Sequence, residues 1–186
     1  MTERTARAGI LRATEFAAVV LNLLYTWLYM HEQKAGFVAG AIGSALFIYL
    51  CAVKKLYAEA VLQLFYVIMA LYGLATPAAA WQVHNTAAGY HLPWIAAGCI
   101  AAFALGYGLR RLTDQQLPYA DAFTSVFALI ATWHMVNFIH ENWLYWMAIN
   151  TLSVFMYARR GLRLASGMFV IYLALSIMGY LNIRIY

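Results

Sequence analysis

Glu141-Asn142-Trp143-Leu144-Tyr145-Trp146-Met147-Ala148-Ile149-Asn150 opens an apolar run that extends to residue 158. On a helix, Trp143, Trp146 and Asn150 lie three and four residues apart, so they share one face. The carboxamide then sits about 10 Å along the axis from the first indole. Two indoles and an amide make a poor surface toward lipid and a good wall for something flat and polar. A second reading stands beside this one: a Trp belt at the water interface, with Asn150 as an interhelical hydrogen-bonding group.

Working outward, 65% of the 186 residues are hydrophobic and only 10% are charged. Soluble domains carry about 25% charge, so a water-facing surface cannot be assembled here. The chain reads as an all-α polytopic membrane protein. Apolar runs near 13–30, 36–53, 57–75, 93–109, 119–138, 142–158 and 163–182 are long enough to cross a bilayer core. They give seven transmembrane helices, numbered 1 to 7. What remains is a tail over 1–12, an external loop over 76–92 and short turns. The basic start resembles a signal-peptide n-region, but the next run carries Glu15 and lacks a small-residue cleavage site. It is read as a retained first helix. No room is left for a soluble catalytic domain, and no Gly-x-x-x-x-Gly-Lys-Ser/Thr phosphate loop occurs.

Charge gives orientation. The tail and the 2–3, 4–5 and 6–7 loops hold Arg4, Arg7, Arg12, Lys54, Lys55, Arg110, Arg111, Arg159, Arg160 and Arg163. The opposite side holds Lys34 and Arg184. Ten against two places the N-terminus in the cytoplasm and the C-terminus outside. Net charge +5 therefore reports topology, and no nucleic-acid partner is implied. Cys51 and Cys99 suit neither a disulfide nor a metal site and read as packing residues. No metal and no cofactor is expected.

A shift of 106 residues without gaps lays 13–75 on 119–181, within the second triplet at 119–182. Glu15 meets Asp121, Thr26 meets Thr132, Trp27 meets Trp133, Tyr66 meets Tyr172 and Gly73 meets Gly179. Three spans invert the chain, so helix 4, over 93–112, must return it before a second triplet begins. The outcome is a 3+1+3 plan, two parallel three-helix repeats joined by a linking helix. Gly98, Ala102 and Gly106 recur at four-residue spacing on helix 4 and allow close approach to a neighbour.

Polar residues inside apolar runs are the informative ones. Helix 1 lines up Glu15, Asn22 and Thr26, and helix 5 lines up Asp121, Ser125 and Thr132. Helix 3 adds Glu59, Gln63, Tyr66 and Tyr72. With Trp143, Trp146 and Asn150 they outline a small polar cavity between the triplets. Gln63, Tyr66, Asn22, Thr132, Trp143, Trp146 and Asn150 are the substrate-binding candidates, and Glu15, Asp121 and Glu59 the gating or coupling candidates. Each has a structural alternative. Glu15 and Asp121 at helix starts suit capping or surface ion pairs, the threonines can bond back to their own helices, and buried amides can act as interhelical glue. His134 reads as a packed or pore-lining histidine. The loop residues Trp81, His84, Tyr90, His91 and Trp94 read as interfacial.

Three runs carry a family resemblance: Tyr57-Ala-Glu-Ala-Val-Leu-Gln-Leu-Phe-Tyr66, Tyr119-Ala-Asp-Ala-Phe-Thr124, and the Glu141–Asn150 stretch. Together they resemble the PnuC vitamin transporters, bacterial inner-membrane proteins related in architecture to the SWEET sugar transporters. The resemblance implies the 3+1+3 fold and facilitated diffusion of an unphosphorylated B-vitamin compound. Nicotinamide riboside is the usual cargo; other members carry thiamine or riboflavin. A cytoplasmic kinase then traps the substrate as a functional partner. The family's binding residues fall here on Trp143, Trp146, Asn150, Gln63 and Tyr66. Nicotinamide riboside members carry Gly-Trp-Tyr-x-Trp at the end of helix 3, whereas Gly73 here is followed by Leu74, Ala75 and Thr76. That departure leaves nicotinamide riboside and thiamine side by side.

Both compounds are flat, cationic heteroaromatics with hydroxyls. A desolvated cation over an indole gains about 2 kcal/mol. No Lys or Arg lies deep in any run, so a phosphorylated cargo would lack a counter-charge. Alternatives from other classes are a membrane assembly subunit without transport activity, proton-coupled uptake of another heteroaromatic, and a membrane enzyme using Glu141 with His140. The enzyme reading is set aside, because acids and histidines at helix ends are not expected to converge. Crowded small residues permit a homo-oligomer, a dimer or trimer.

Overall fold

The computed structural model describes residues 2–53, 57–77, 82–114, 116–161 and 163–183, without the side chains of 2–8, 57–59, 164 and 165. Among them are seven α-helices and no β-strand: α1 (Thr2–Met30), α2 (Ala35–Val53), α3 (Tyr57–Ala75), α4 (Ala88–Leu112), α5 (Pro118–Val136), α6 (Asn142–Arg159) and α7 (Arg163–Tyr180). Gly9–Met30, Ala35–Val53 and Ala88–Leu112 are long and apolar enough by themselves to span a membrane, and Ala60–Ala75 and Ser166–Tyr180 are shorter apolar stretches.

Two helices start earlier than the hydropathy implied. Residues 2–12 continue α1, because Ala, Arg and Glu are strong helix formers whatever their charge. Glu15 therefore lies inside a 29-residue helix rather than at its start. Pro93 does not open α4; it lies within it, after Ala88. As its sixth residue, Pro93 lies beyond the first N–H groups that lack intrahelical partners, so the helix forgoes one i→i−4 bond, to the Gly89 carbonyl.

The chain forms two compact units, Met1–Trp81 and Gln82–Tyr186. In the first, α2 packs on both α1 and α3. Its small residues set the approach: the Tyr25 ring lies on Gly40, Asn22 on Gly43, and the buried Phe37 ring on Gly73. In the second, α5 packs on α4 and α6, and α6 packs on α7. The core there is Phe127, Ala128, Ile130, Ala131, Tyr145 and Ile149. Gly98 accepts Phe127 and Ile130, and Gly106 accepts Tyr119, so the spaced small residues of α4 do meet a neighbouring helix. Val61, Leu64, Ile68 and Leu71 leave an apolar stripe exposed on α3, a surface suited to acyl chains.

The 106-residue register recurs in the geometry of each unit. Phe37 fills the space at Gly73 as Trp143 fills that at Gly179. After α1, Glu32 turns to φ 57°, and Gln33 N–H donates to the Leu28 carbonyl at 2.9 Å. After α5, Phe138 has φ 57°, and Ile139 N–H donates to the His134 carbonyl at 3.0 Å. Each bond closes the carbonyl end of its helix through one left-handed residue. Non-glycine side chains take that conformation at some cost.

Candidate functional site

The three signature residues of α6 divide between two neighbours. A helix turns 100° per residue, which brings Asn150 within about 20° of Trp143 but leaves Trp146 about 60° away. Trp143 is buried with its indole against Gly179 of α7. Asn150 also turns to α7, where its Nδ2 donates to Ser176 Oγ at 3.1 Å. Ser176 Oγ in turn donates to the Tyr172 carbonyl at 2.7 Å. Trp146 packs instead against the α5–α6 core, and its buried Nε1 has no hydrogen-bond partner among the described residues. Thr132 is buried on α5 and donates to the Ala128 carbonyl at 2.8 Å.

In the first unit, Asn22 Nδ2 donates to the Ala18 carbonyl at 2.9 Å, and Thr26 Oγ1 to the Asn22 carbonyl at 3.1 Å. Their polar groups are thus bonded within α1. Gln63 and Tyr66 are half-buried on α3, and Tyr66 is near enough to Tyr25 of α1 for their phenols to interact electrostatically. The structure brings Asn22, Gln63 and Tyr66 into one unit and Thr132, Trp143, Trp146 and Asn150 into the other.

The gating candidates divide as well. Asp121, in the first turn of α5, accepts a 2.5 Å hydrogen bond from Arg160 just past the end of α6. That carboxylate holds the Arg160 guanidinium firmly in its charged form. Glu15 is exposed on α1, and the Glu59 side chain lies outside the described residues.

One polar cluster was not legible in the sequence. The segment before α4 pairs with the α5–α6 turn: His84 N–H donates to the Phe138 carbonyl at 3.0 Å, and His140 N–H to the His84 carbonyl at 2.9 Å. Thr86 then meets Glu141 twice over. Its N–H lies 3.1 and 3.2 Å from the two carboxylate oxygens, and its hydroxyl donates to Oε2 at 3.1 Å. Because that hydroxyl donates to Glu141, the His91 Nε2–H must donate to it, at 2.7 Å. His91 Nδ1 is left to accept from the Tyr145 hydroxyl, at 2.9 Å. His134, fully buried, stacks on both His91 and Tyr145 with centroids 5.4 and 5.0 Å away.

Thus histidines and an acid do converge, contrary to the expectation from helix ends, and His91 belongs to a buried network rather than to an interface. Burial raises the Glu141 carboxyl, but hydrogen bonds from its own backbone and from Thr86, with His91 close by, outweigh this and hold it below the usual range. Every member of the chain from Glu141 to Tyr145 is satisfied; beside it, His134 Nδ1 bonds to the Ile130 carbonyl at 2.7 Å, and its buried Nε2 has no hydrogen-bond partner among the described residues. The cluster fastens the segment before α4 onto the second unit. Among the described residues, no group of three or more His, Cys, Asp or Glu is placed to hold a metal ion.

Indoles, amides and phenols on apolar helices can stack and hydrogen-bond a ligand without breaking its bonds, and this is the equipment of a multi-pass membrane transporter. The fold agrees with a solved one: the crystal structure of the vitamin B3 transporter PnuC matches with a TM-score of 0.71 and 24% sequence identity, covering 91% of this chain and 79% of that one. At that identity the likeness is one of fold. The family model described as nicotinamide mononucleotide transporter matches residues 12–184, and the chain belongs to that family. It is a family of transporters, not of enzymes.

Proposed function

We propose that the protein mediates facilitated diffusion of an unphosphorylated, flat, cationic B-vitamin compound, nicotinamide riboside or thiamine, across the bacterial inner membrane. A cytoplasmic kinase retains the cargo by phosphorylating it. The candidate binding residues are Trp146, Trp143 and Asn150 of α6 with Thr132 of α5 in the second unit, and Asn22 of α1 with Gln63 and Tyr66 of α3 in the first. Alternating access works by rocking one three-helix repeat against the other. The repeated ring-on-glycine contacts and helix-end turns, 106 residues apart, support reading α1–α3 and α5–α7 as such repeats.

The observation that carries the site is the Trp146 indole. A buried N–H without a partner costs free energy of about 1–3 kcal/mol, and a ligand acceptor stacked beside it would recover that energy. Trp143 and Asn150, held by Gly179 and Ser176, set the position of α6 against α7. The family's descriptive name includes a phosphate. Phosphate needs fixed cations, yet the sequence has no Lys or Arg over 13–33, 35–53, 56–109, 112–158 or 164–183. An uncharged ribosyl or hydroxyethyl arm is therefore the better fit. A binding titration of purified protein against nicotinamide riboside, thiamine and their phosphates tests the reading. Binding of one unphosphorylated compound alone is expected, and preference for a phosphate would overturn it.

A further inference from the structure

We infer that Asn142 and Trp146 together read an amide-like edge of the ligand, one that presents an acceptor beside an N–H donor. Asn142 is the first residue of α6 and is 1% exposed. Its Nδ2 donates to the Ile139 carbonyl at 2.6 Å, which fixes the orientation of the amide. Oδ1 is then aimed elsewhere, and it is buried with no partner among the described residues. Trp146 stands one turn further along the same face and supplies the complementary orphan, a buried Nε1–H. One helix face thus offers an unused acceptor and an unused donor at adjacent turns.

Buried polar atoms are rarely left unpaired in native proteins, so a pair of opposite kind on one face points to a partner with both functions. The first unit sharpens the point. At the matching places, 106 residues earlier, stand Gly36 and Gly40, whose space is filled by Leu28 with the α1 backbone and by the Tyr25 ring. Only the second unit puts an amide and an indole there. A ligand carbonyl or ring nitrogen would accept from Trp146, and an adjoining NH2 would donate to Asn142. A primary carboxamide and an aminopyrimidine both have that edge, so the inference rests on the transport reading and names what that site recognises.

The test uses the full-length protein and two matched ligand pairs, each differing at the proposed donor. Nicotinamide riboside is compared with the riboside of 3-acetylpyridine, which keeps the carbonyl and lacks the NH2, and thiamine with its analogue carrying hydrogen in place of the amine. For the parent that binds, loss of the NH2 is expected to weaken affinity between about five- and a hundredfold, because Asn142 Oδ1 is left facing no donor. In Asn142→Ala the gap closes to within about threefold. Asn142→Gly, which installs the residue of the first unit, serves if the alanine variant fails to fold. Equal affinity of parent and analogue for the wild type overturns the inference, as does a gap that survives either variant. Failure of the wild type to bind either parent removes the transport reading, and the inference with it.

Discussion

Replacing Gly179 with alanine isolates the contact that seats α6 on α7. A Cβ there would lie 2.5, 2.6 and 2.7 Å from Trp143 Cε2, Cζ2 and Cδ2, where ordinary van der Waals contact begins near 3.4 Å. The indole must retreat by most of an ångström, and a buried ring cannot do so without displacing its neighbours. Overpacking of this kind costs about 1–3 kcal/mol. Against it stands the better helix propensity of alanine, about 1 kcal/mol. The net is a loss of up to about 2 kcal/mol, or a fall of about 2–8 °C in unfolding midpoint for a chain of this size. Thermal unfolding in one detergent at one scan rate reads it, with Gly167→Ala on the same helix as control, since nothing lies within 4 Å of that glycine. The double variant Gly179→Ala/Trp143→Leu should lose less than the sum of the two single changes, because the clash disappears with the ring. If Gly179→Ala melts with Gly167→Ala, the wedge does not hold the helices and the reasoning is wrong.

Other expectations follow from the same contacts. Glu141→Gln should lower the unfolding midpoint at neutral pH, by the worth of about one charge-assisted hydrogen bond, 1.5–3 kcal/mol. The native Glu141 carboxyl is held below its ordinary value, so its stabilisation is complete above about pH 5 and fades as the pH falls through the native titration. The gap between wild type and Glu141→Gln should therefore narrow on acidification, and a gap that widens would contradict the clasp. Trp146→Phe keeps a ring but deletes the N–H, and should weaken ligand binding about five- to tenfold with little change in melting; unchanged affinity would return Trp146 to packing. Thiamine phosphates and the mononucleotide, in large excess, should leave binding of the unphosphorylated ligand intact, as a competition titration would reveal.

The helices were legible because their composition leaves few alternatives, and Gly73 and Gly179 stood out as a pair 106 residues apart, each of which lies under an aromatic ring. Helix starts were less so. Arg4, Arg7 and Arg12 are polar enough to end a hydropathy run while still favouring a helix, and Pro93 imitates a boundary. At the site, residue type was readable but direction was not. Trp143, Trp146 and Asn150 obey helical spacing, yet 60° of rotation is enough to send Trp146 to a different neighbour from the other two. The clasp was hidden for another reason. Thr86 and His91 meet Glu141 and Tyr145 across about 55 residues of chain, a pairing set by tertiary packing. Its one local sign is Glu141 and Tyr145 four residues apart at a helix start.

Flux through purified protein is the most direct measurement. Reconstituted in liposomes without ATP or an ion gradient, the chain should equilibrate radiolabelled nicotinamide riboside or thiamine down its gradient and stop at equal concentrations. Accumulation only when a proton gradient is imposed, or no flux of either compound, would contradict facilitated diffusion through this fold.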